Sequence, residues 1–213
     1  YNQGLLDEWD WIKLDIALIK ESQTNEEITD EKLRSLMVGM PMMKNWNTLI
    51  SKLIEDGAKV AIVSGGLQQT ARDIAAQFPS TEPWQRRWGG IDRYTSERFS
   101  SGQDSKLSVF TNGWLRGDIL ANGQYSINDF GRYQVQMHGK GAIVKMLQRR
   151  YNISKAKTSS VGDSAGDIGM FQESGYSICF NPWDDRPLKH CSEVVEEKDL
   201  AIVLEKIKTK MNE

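Results

Sequence analysis

An apolar run that ends in Ser-Gly-Gly between two helical patterns constrains the fold of this chain most strongly. The run occupies residues 58–63, is apolar apart from Lys59, and is followed by Ser64-Gly65-Gly66. Residues 44–56 before it and 67–78 after it repeat apolar side chains at helical spacing. A strand between two helices, ending in a glycine turn, is typical of an α/β fold with a parallel sheet.

The same kind of periodicity extends this prediction over most of the chain. Thr29 is the expected N-cap of a short helix, and the Asn112-Gly113 and Asn122-Gly123 pairs predict hairpin turns within residues 107–129. Further helices are predicted at 5–20, 29–38, 139–150, 167–173 and 200–211, and further strands at 158–161 and 176–180.

Composition narrows the class of protein. With 213 residues and a formal net charge of −2, the chain is not expected to be a general nucleic-acid binder, which is normally basic. Two cysteines are too few for a disulfide scaffold and lack zinc-site spacing, so we expect a reducing, cytoplasmic setting. No apolar run approaches the length of about 18 residues that a membrane span requires. The oligomeric state is left open.

The Ser64-Gly65 pair is the first of three features that suggest chemistry. A hydroxyl and free backbone N–H groups at the carboxyl end of a strand can bind a phosphate oxygen. An ordinary glycine turn would have the same sequence, so the pair alone does not decide between the two interpretations.

The other two features carry charge. Lys140 lies between two glycines at the start of a predicted helix, where it could neutralise a phosphoryl group or be a solvated surface lysine. Asp163 follows a predicted strand and Asp167 lies four residues on. Carboxylates so placed suit Mg²⁺, which keeps several waters and bridges to phosphate. The alternative is a plain turn in which Asp167 caps a helix.

The order of the three features resembles the second, third and fourth motifs of the haloacid dehalogenase superfamily, nearest its phosphoserine phosphatase-like branch. The resemblance covers residues 44–78 and 107–207. It implies an α/β, Rossmannoid parallel sheet flanked by helices, with a core at residues 41–213. Residues 1–40 would be the C-terminal part of a small helical cap. Residues 79–106 are rich in Pro, Arg, Ser and Gly, and this composition predicts an irregular insertion.

The resemblance also implies the role of each residue. Ser64 and the backbone of Gly65 would hold the transferring phosphoryl group, and Lys140 would stabilise its charge. Asp163 and Asp167 would form the Mg²⁺ site, with Asp167 orienting Lys140 or a metal-bound water. The implied activity is Mg²⁺-dependent hydrolysis of a small phosphomonoester, with phosphoserine as one possible substrate, through an aspartyl-phosphate.

The sequence departs from the family pattern in two ways. No apolar strand ends in Asp-x-Asp-x-Thr, the first motif, which supplies the nucleophile. Because loss of this central strand would be structurally costly, we expect the motif to belong to an N-terminal segment outside these 213 residues. Gly166 also stands where phosphoserine phosphatases usually have Asn.

Two other functions remain open at this point. A non-catalytic binding or scaffold protein of the same fold would also lack the first motif. A doubly wound nucleotide-binding domain is a further alternative, although Ser64-Gly65-Gly66 is too short for a dinucleotide fingerprint.

Overall fold

The chain divides into two units, and the computed structural model describes residues 7–22, 27–37, 39–80, 104–131 and 133–212. The first unit comprises Tyr1–Met40 and Ala61–Val135, and the second comprises Pro41–Val60 and Gln136–Glu213. Most of the insertion predicted at 79–106 lies outside the described residues. The assignment of residues 1–40 to a cap and 41–213 to a core remains a prediction.

Helices and at least one parallel pair of strands occur in each unit, which confirms the α/β prediction. The helices are α1 (Glu8–Glu21), α2 (Asp30–Leu36), α3 (Trp46–Glu55), α4 (Gln68–Ala76), α5 (Lys140–Tyr151), α6 (Ile168–Gln172) and α7 (Leu200–Met211). The strands are β1 (Ala61–Leu67), β2 (Pro79–Ser80), β3 (Asp104–Ser105), β4 (Ser108–Asn112), β5 (Arg116–Ile119), β6 (Tyr125–Ile127), β7 (Ser159–Gly162), β8 (Tyr176–Phe180) and β9 (Glu193–Val195). None of the helices described is long and apolar enough to cross a membrane.

In the first unit, β1 pairs in parallel with β4, with Ser64 opposite Thr111. The register then shifts, so that Leu67 is the next residue paired, opposite Asn112. The strand predicted to stop at residue 63 therefore continues through Ser64-Gly65-Gly66 as an irregular strand end. The prediction of a glycine turn was wrong because β4 provides a pairing partner that the local sequence does not reveal.

The two Asn-Gly pairs have different outcomes. Asn122-Gly123 turns the chain between the antiparallel strands β5 and β6, and Gly123 has a φ of +80°, so that hairpin is confirmed. Asn112-Gly113 makes no hairpin, since the buried Asn112 amide donates to the carbonyl of Val135 at 2.8 Å and its oxygen accepts the Val135 N–H at 2.7 Å. The buried Asn112 side chain thus links two backbone segments through hydrogen bonds.

Helices α1 and α2 share an apolar core with the β5–β6 hairpin. Its buried residues are Ile12, Ile16, Ile28, Leu33, Trp114 and Ile127. Thr29 caps α2 as predicted, its side chain accepting the N–H of Lys32 at 3.1 Å.

One buried carboxylate connects α2 to β5 in this unit. The fully buried Asp30 accepts from Trp114 Nε1 at 2.7 Å. Its other oxygen accepts from the guanidinium groups of Arg34 and Arg116, each at 2.9 Å. A buried charge is tolerated only when it is paired in this way.

The second unit is built on a parallel sheet in the order β7-β8-β9. Helices α3 and α7 cover it with apolar side chains, and the buried core consists of Ile178, Phe180, Val195, Val203 and Ile207. Helix α3 ends as its sequence predicts, because Gly57 has a φ of +84° and the next N–H, of Ala58, returns to the carbonyl of Leu53 at 2.9 Å. Strand β9 was not predicted, since it is short and begins with the polar Glu193.

Candidate active site

The carboxyl end of β7 brings two of the predicted acids together in the second unit. Asp163 directly follows β7, and a single tight turn at Ala165–Asp167 leads into α6. One oxygen of Asp167 accepts the backbone N–H groups of Asp163 at 3.0 Å and of Ser164 at 3.1 Å. The turn therefore holds the Asp167 carboxylate rigidly beside Asp163.

The second Asp167 oxygen accepts a hydrogen bond from Lys140 Nζ at 2.7 Å. Both side chains are buried, with only 9% of Lys140 and 4% of Asp167 exposed. The solvated-surface alternative for Lys140 is therefore wrong. Because both Asp167 oxygens already accept hydrogen bonds, the contacts favour positioning of Lys140 over direct binding of a metal.

Glycines let these groups approach each other. A Cβ on Gly162 would lie 2.5 Å from Cβ and Cγ of Asp167, and a Cβ on Gly141 would lie 2.5 Å from the backbone oxygen of Gly169. A side chain at Gly162 would push the Asp167 turn away from β7, and a side chain at Gly141 would push α5 away from α6. The absence of side chains there fixes where Lys140 and Asp167 meet.

The two carboxyl groups have opposite electrostatic surroundings. Burial alone would raise the pKa of Asp167, but the charge and hydrogen bond of Lys140, with two backbone N–H groups, hold that pKa below its ordinary value. Partial burial raises the pKa of Asp163, the negative charge of Asp167 raises it further, and Lys140 offsets only part of this. Asp167 is thus stabilised as the partner of Lys140, whereas the charge of Asp163 is only partly compensated.

The donor set around Asp163 fits Mg²⁺ better than zinc. Although partly buried, Asp163 reaches the surface of its unit, and Mg²⁺ is commonly held by one or two carboxylates together with waters and substrate phosphate. Among the described residues, no group of three or more His, Cys, Asp or Glu side chains could enclose a metal ion. A site of this kind would take its remaining ligands from water and phosphate.

The predicted phosphate-binding residues Ser64 and Gly65 belong to the first unit, at the irregular end of β1. Ser64 Oγ accepts the N–H of Gly66 at 3.1 Å, which leaves its hydroxyl proton available for another acceptor. The carbonyl of Gly65 accepts from the Asn112 amide at 3.3 Å. The end of β1 is therefore held in place from β4.

Three features around the predicted residues, one in the first unit and two in the second, were missed or misjudged from the sequence. Asn112 supports Gly65 but was assigned to a turn. Gly166, expected only as a lost polar contact, faces Met137, whose Cε would lie 2.9 Å from an added Cβ. Trp183 donates its backbone N–H to the carbonyl of Asp163 at 2.8 Å, a contact between sequence-distant residues for which no local signal exists.

Comparison with known proteins supports the family suggested by the motifs. A profile of haloacid dehalogenase-like hydrolases matches residues 123–207. A phosphoserine phosphatase of Methanocaldococcus jannaschii is 25% identical over 194 residues, which are 90% of this chain and 76% of that protein. A phosphoglycolate phosphatase of Metallosphaera sedula is 25% identical over 134 residues, or 63% of this chain and 58% of that protein.

Solved structures agree on the fold. A phosphoserine phosphatase in its apo form superimposes with a TM-score of 0.64 and 20% identity, covering 93% of this chain and 80% of that one. A phospho-aspartyl intermediate analogue of phosphoserine phosphatase gives a TM-score of 0.63 at 20% identity, covering 96% and 79%. By its ordered motifs, its profile match over residues 123–207 and its phosphatase relatives, the chain is similar to haloacid dehalogenase-like phosphatases, and among them to phosphoserine phosphatases.

Proposed function

We propose that this protein is a Mg²⁺-dependent phosphomonoester hydrolase that acts on a small metabolite in the cytoplasm. The buried Lys140–Asp167 pair beside Asp163 carries the proposal. Burying a lysine and a carboxylate costs free energy that a good pair only roughly repays, so such a pair at the carboxyl end of a parallel strand favours a functional role. Phosphatases on phosphoserine and phosphoglycolate among the relatives support the reaction class.

In the second unit, Asp163 would hold Mg²⁺, with Asp167 supporting that site. Lys140, fixed by Asp167 at 2.7 Å, would place its charge against the phosphoryl oxygens as negative charge develops there. A charge that is positioned in advance stabilises a transition state without reorganising during the reaction. Bound Mg²⁺ would supply charge neutralisation at the phosphoryl group.

In the first unit, Ser64 and the Gly65 backbone would bind the phosphoryl group. The Ser64 hydroxyl proton is available for a phosphate oxygen because its oxygen already accepts from Gly66. Asn112 would hold Gly65 in position through its carbonyl. This role requires the glycines, since a backbone N–H can approach a phosphate closely only where no side chain intervenes.

The chemistry proceeds by covalent catalysis. An aspartate oxygen attacks phosphorus, the ester P–O bond breaks, and the leaving oxygen takes a proton from a second aspartate that acts as the general acid and recovers the proton from the attacking water in the next step. Water then attacks the aspartyl-phosphate, releasing inorganic phosphate and the free carboxylate. We assign the attacking aspartate to an Asp-x-Asp-x-Thr motif, which is not found in these 213 residues. Phosphoserine-like esters are the first substrates to test.

The test compares the 213-residue chain with the same chain extended by the upstream coding sequence of its gene. We expect Mg²⁺-dependent phosphate release from a phosphomonoester panel by the extended chain. Asp163→Asn should abolish the release, and Asp118→Asn, which removes an exposed carboxylate on β5, should retain it. If both chains are folded and neither releases phosphate, the hydrolase proposal is wrong and a non-catalytic binding role takes its place.

A further inference from the structure

The loop that follows β8 carries an exposed tryptophan, Trp183, whose backbone lies beside the backbone of Asp163. The backbone N–H of Trp183 donates to the carbonyl of Asp163 at 2.8 Å, so the two residues are neighbours across the sheet end. The Trp183 side chain is 84% exposed, more than any other large apolar side chain among the described residues. Exposing an indole this fully leaves both ring faces open to contact.

Several contacts fix the loop that carries Trp183. Asn181, in the left-handed region with a φ of +45°, donates its N–H to the carbonyl of Val195 at 2.6 Å. Arg186 donates a hydrogen bond to each oxygen of Asp184, from Nε at 2.9 Å and from Nη2 at 2.7 Å. Pro187 is fully buried. The position of the Trp183 backbone is therefore set before any ligand arrives.

Charge does not favour an ionic ligand at this loop. Residues 181–190 carry two acids, Asp184 and Asp185, and two bases, Arg186 and Lys189, so their formal charges cancel. Asp184 is already neutralised by Arg186. What the loop offers besides these charges is the exposed, uncharged ring of Trp183, and planar rings stack on such a face without needing a charge.

We propose that Trp183 determines substrate specificity by stacking on a planar ring in the leaving group of the phosphomonoester. The inference rests on the proposed function, because it takes Asp163 as part of the phosphate site. Among phosphomonoesters, the preferred substrates are then those whose alcohol carries an aromatic or heteroaromatic ring close to the phosphate, and phosphoserine, which has no ring, would be a weaker substrate. Stacking on an aromatic side chain tolerates many different rings, because every planar ring has a π-face.

The kinetic test uses two esters that differ only in ring planarity, benzyl phosphate and cyclohexylmethyl phosphate. Both release a primary alcohol, so their kcat values should be similar. With the extended chain we expect KM for benzyl phosphate to be about tenfold lower, equivalent to about 1.4 kcal/mol. Trp183→Leu should remove this preference and Trp183→Phe should keep part of it. Trp11→Leu, at an exposed tryptophan on α1, is the matched control and should keep it all.

A binding measurement separates this inference from the proposed function. The protein is labelled with fluorotryptophan, the signal of residue 183 is assigned by its loss in Trp183→Leu, and the non-hydrolysable 2-phenylethylphosphonate and 2-cyclohexylethylphosphonate are titrated. A shift at Trp183 with the phenyl compound alone supports stacking, even if no ester is hydrolysed and the proposed function fails. Equal or absent shifts, or a KM ratio unchanged in Trp183→Leu, overturn the inference while leaving the hydrolase proposal intact.

Discussion

Lys140 and Lys145 lie on the same helix and each pairs with an acid, yet the two pairs differ in burial. The Lys140–Asp167 side chains are 9% and 4% exposed, whereas those of Lys145 and Glu173, 3.0 Å apart, are 51% and 24% exposed. Removing one partner of a buried pair leaves a charge without compensation, whereas a solvated partner is rehydrated. The same substitution should therefore have unequal effects at the two lysines.

We expect Lys140→Met to lower the free energy of unfolding by about 3–5 kcal/mol, because Asp167 keeps a buried charge after losing its cation. Lys145→Met is the matched control and should cost less than about 1 kcal/mol. Urea unfolding of both variants and the parent at pH 7 decides the matter. Similar losses for the two variants would mean that Lys140 is solvated in solution.

Asp30 makes the stability of the folded chain depend on pH. Burial alone would raise its pKa, but the hydrogen bond from Trp114 and the charges of Arg34 and Arg116 outweigh burial and hold this pKa below its ordinary value. Since the folded pKa is the lower one, the ionised carboxylate stabilises the folded chain above the unfolded pKa of about 3.9. This stabilisation is lost as the pH falls from there through the folded pKa.

Asp30→Asn should therefore cost about 1.5–3 kcal/mol at neutral pH, the range for hydrogen bonds to charged groups. The difference from the parent should shrink as the pH falls below about 4. Urea unfolding at a series of pH values measures it, with Asp118→Asn as an exposed control within about 0.5 kcal/mol of the parent. A difference that stays constant down to low pH would contradict the assignment of a lowered pKa to Asp30.

At the scale of elements, periodic helices could be predicted from the sequence and contacts between elements could not. Helices α3, α5 and α7 lie where their apolar spacing predicts, because that spacing directly reflects the buried face. The Asn112-Gly113 turn failed because the Asn112 amide is satisfied by Val135 and Gly65, distant in sequence. A local turn signal has no information about such partners.

The site shows the same division. Lys140, Asp163 and Asp167 were predicted as site residues from the order of their motifs, but the burial of Lys140 depends on a partner 27 residues away. Trp183 was missed because its contact with Asp163 arises from the pairing of β7 with β8. Motif order therefore identifies the charged groups, whereas the packing that fixes them becomes visible only in the structure.

The contact between α5 and α6 allows an element-scale test. Gly141→Ala should destabilise the protein by about 1–3 kcal/mol, because the new Cβ would meet the Gly169 carbonyl at 2.5 Å. Helix propensity alone predicts the reverse, a gain of about 1 kcal/mol. The control is Ala142→Gly, at the exposed neighbouring position, which should cost about 1 kcal/mol. Stabilisation by Gly141→Ala in thermal unfolding would show that the helices do not approach this closely.

At the scale of the whole molecule, each unit has an apolar core of its own. Ile16 belongs to the first core and is 2% exposed, and Ile178 belongs to the second and is fully buried. Separate cores are the condition under which unfolding departs from a single two-state transition. The Lys140–Asp167 pair belongs to the second unit, so the pair should be lost when the second core unfolds.

Matched isoleucine substitutions test this division. Ile16→Ala and Ile178→Ala should each cost about 2–5 kcal/mol, from lost burial and the cavity left behind, but in different transitions observed by calorimetry. The parent should show two transitions, with Ile16→Ala lowering one and Ile178→Ala the other. Only the transition lowered by Ile178→Ala should also respond to Lys140→Met, because both residues lie in the second unit. A single transition that all three variants lower together would mean that the two cores unfold as one cooperative structure.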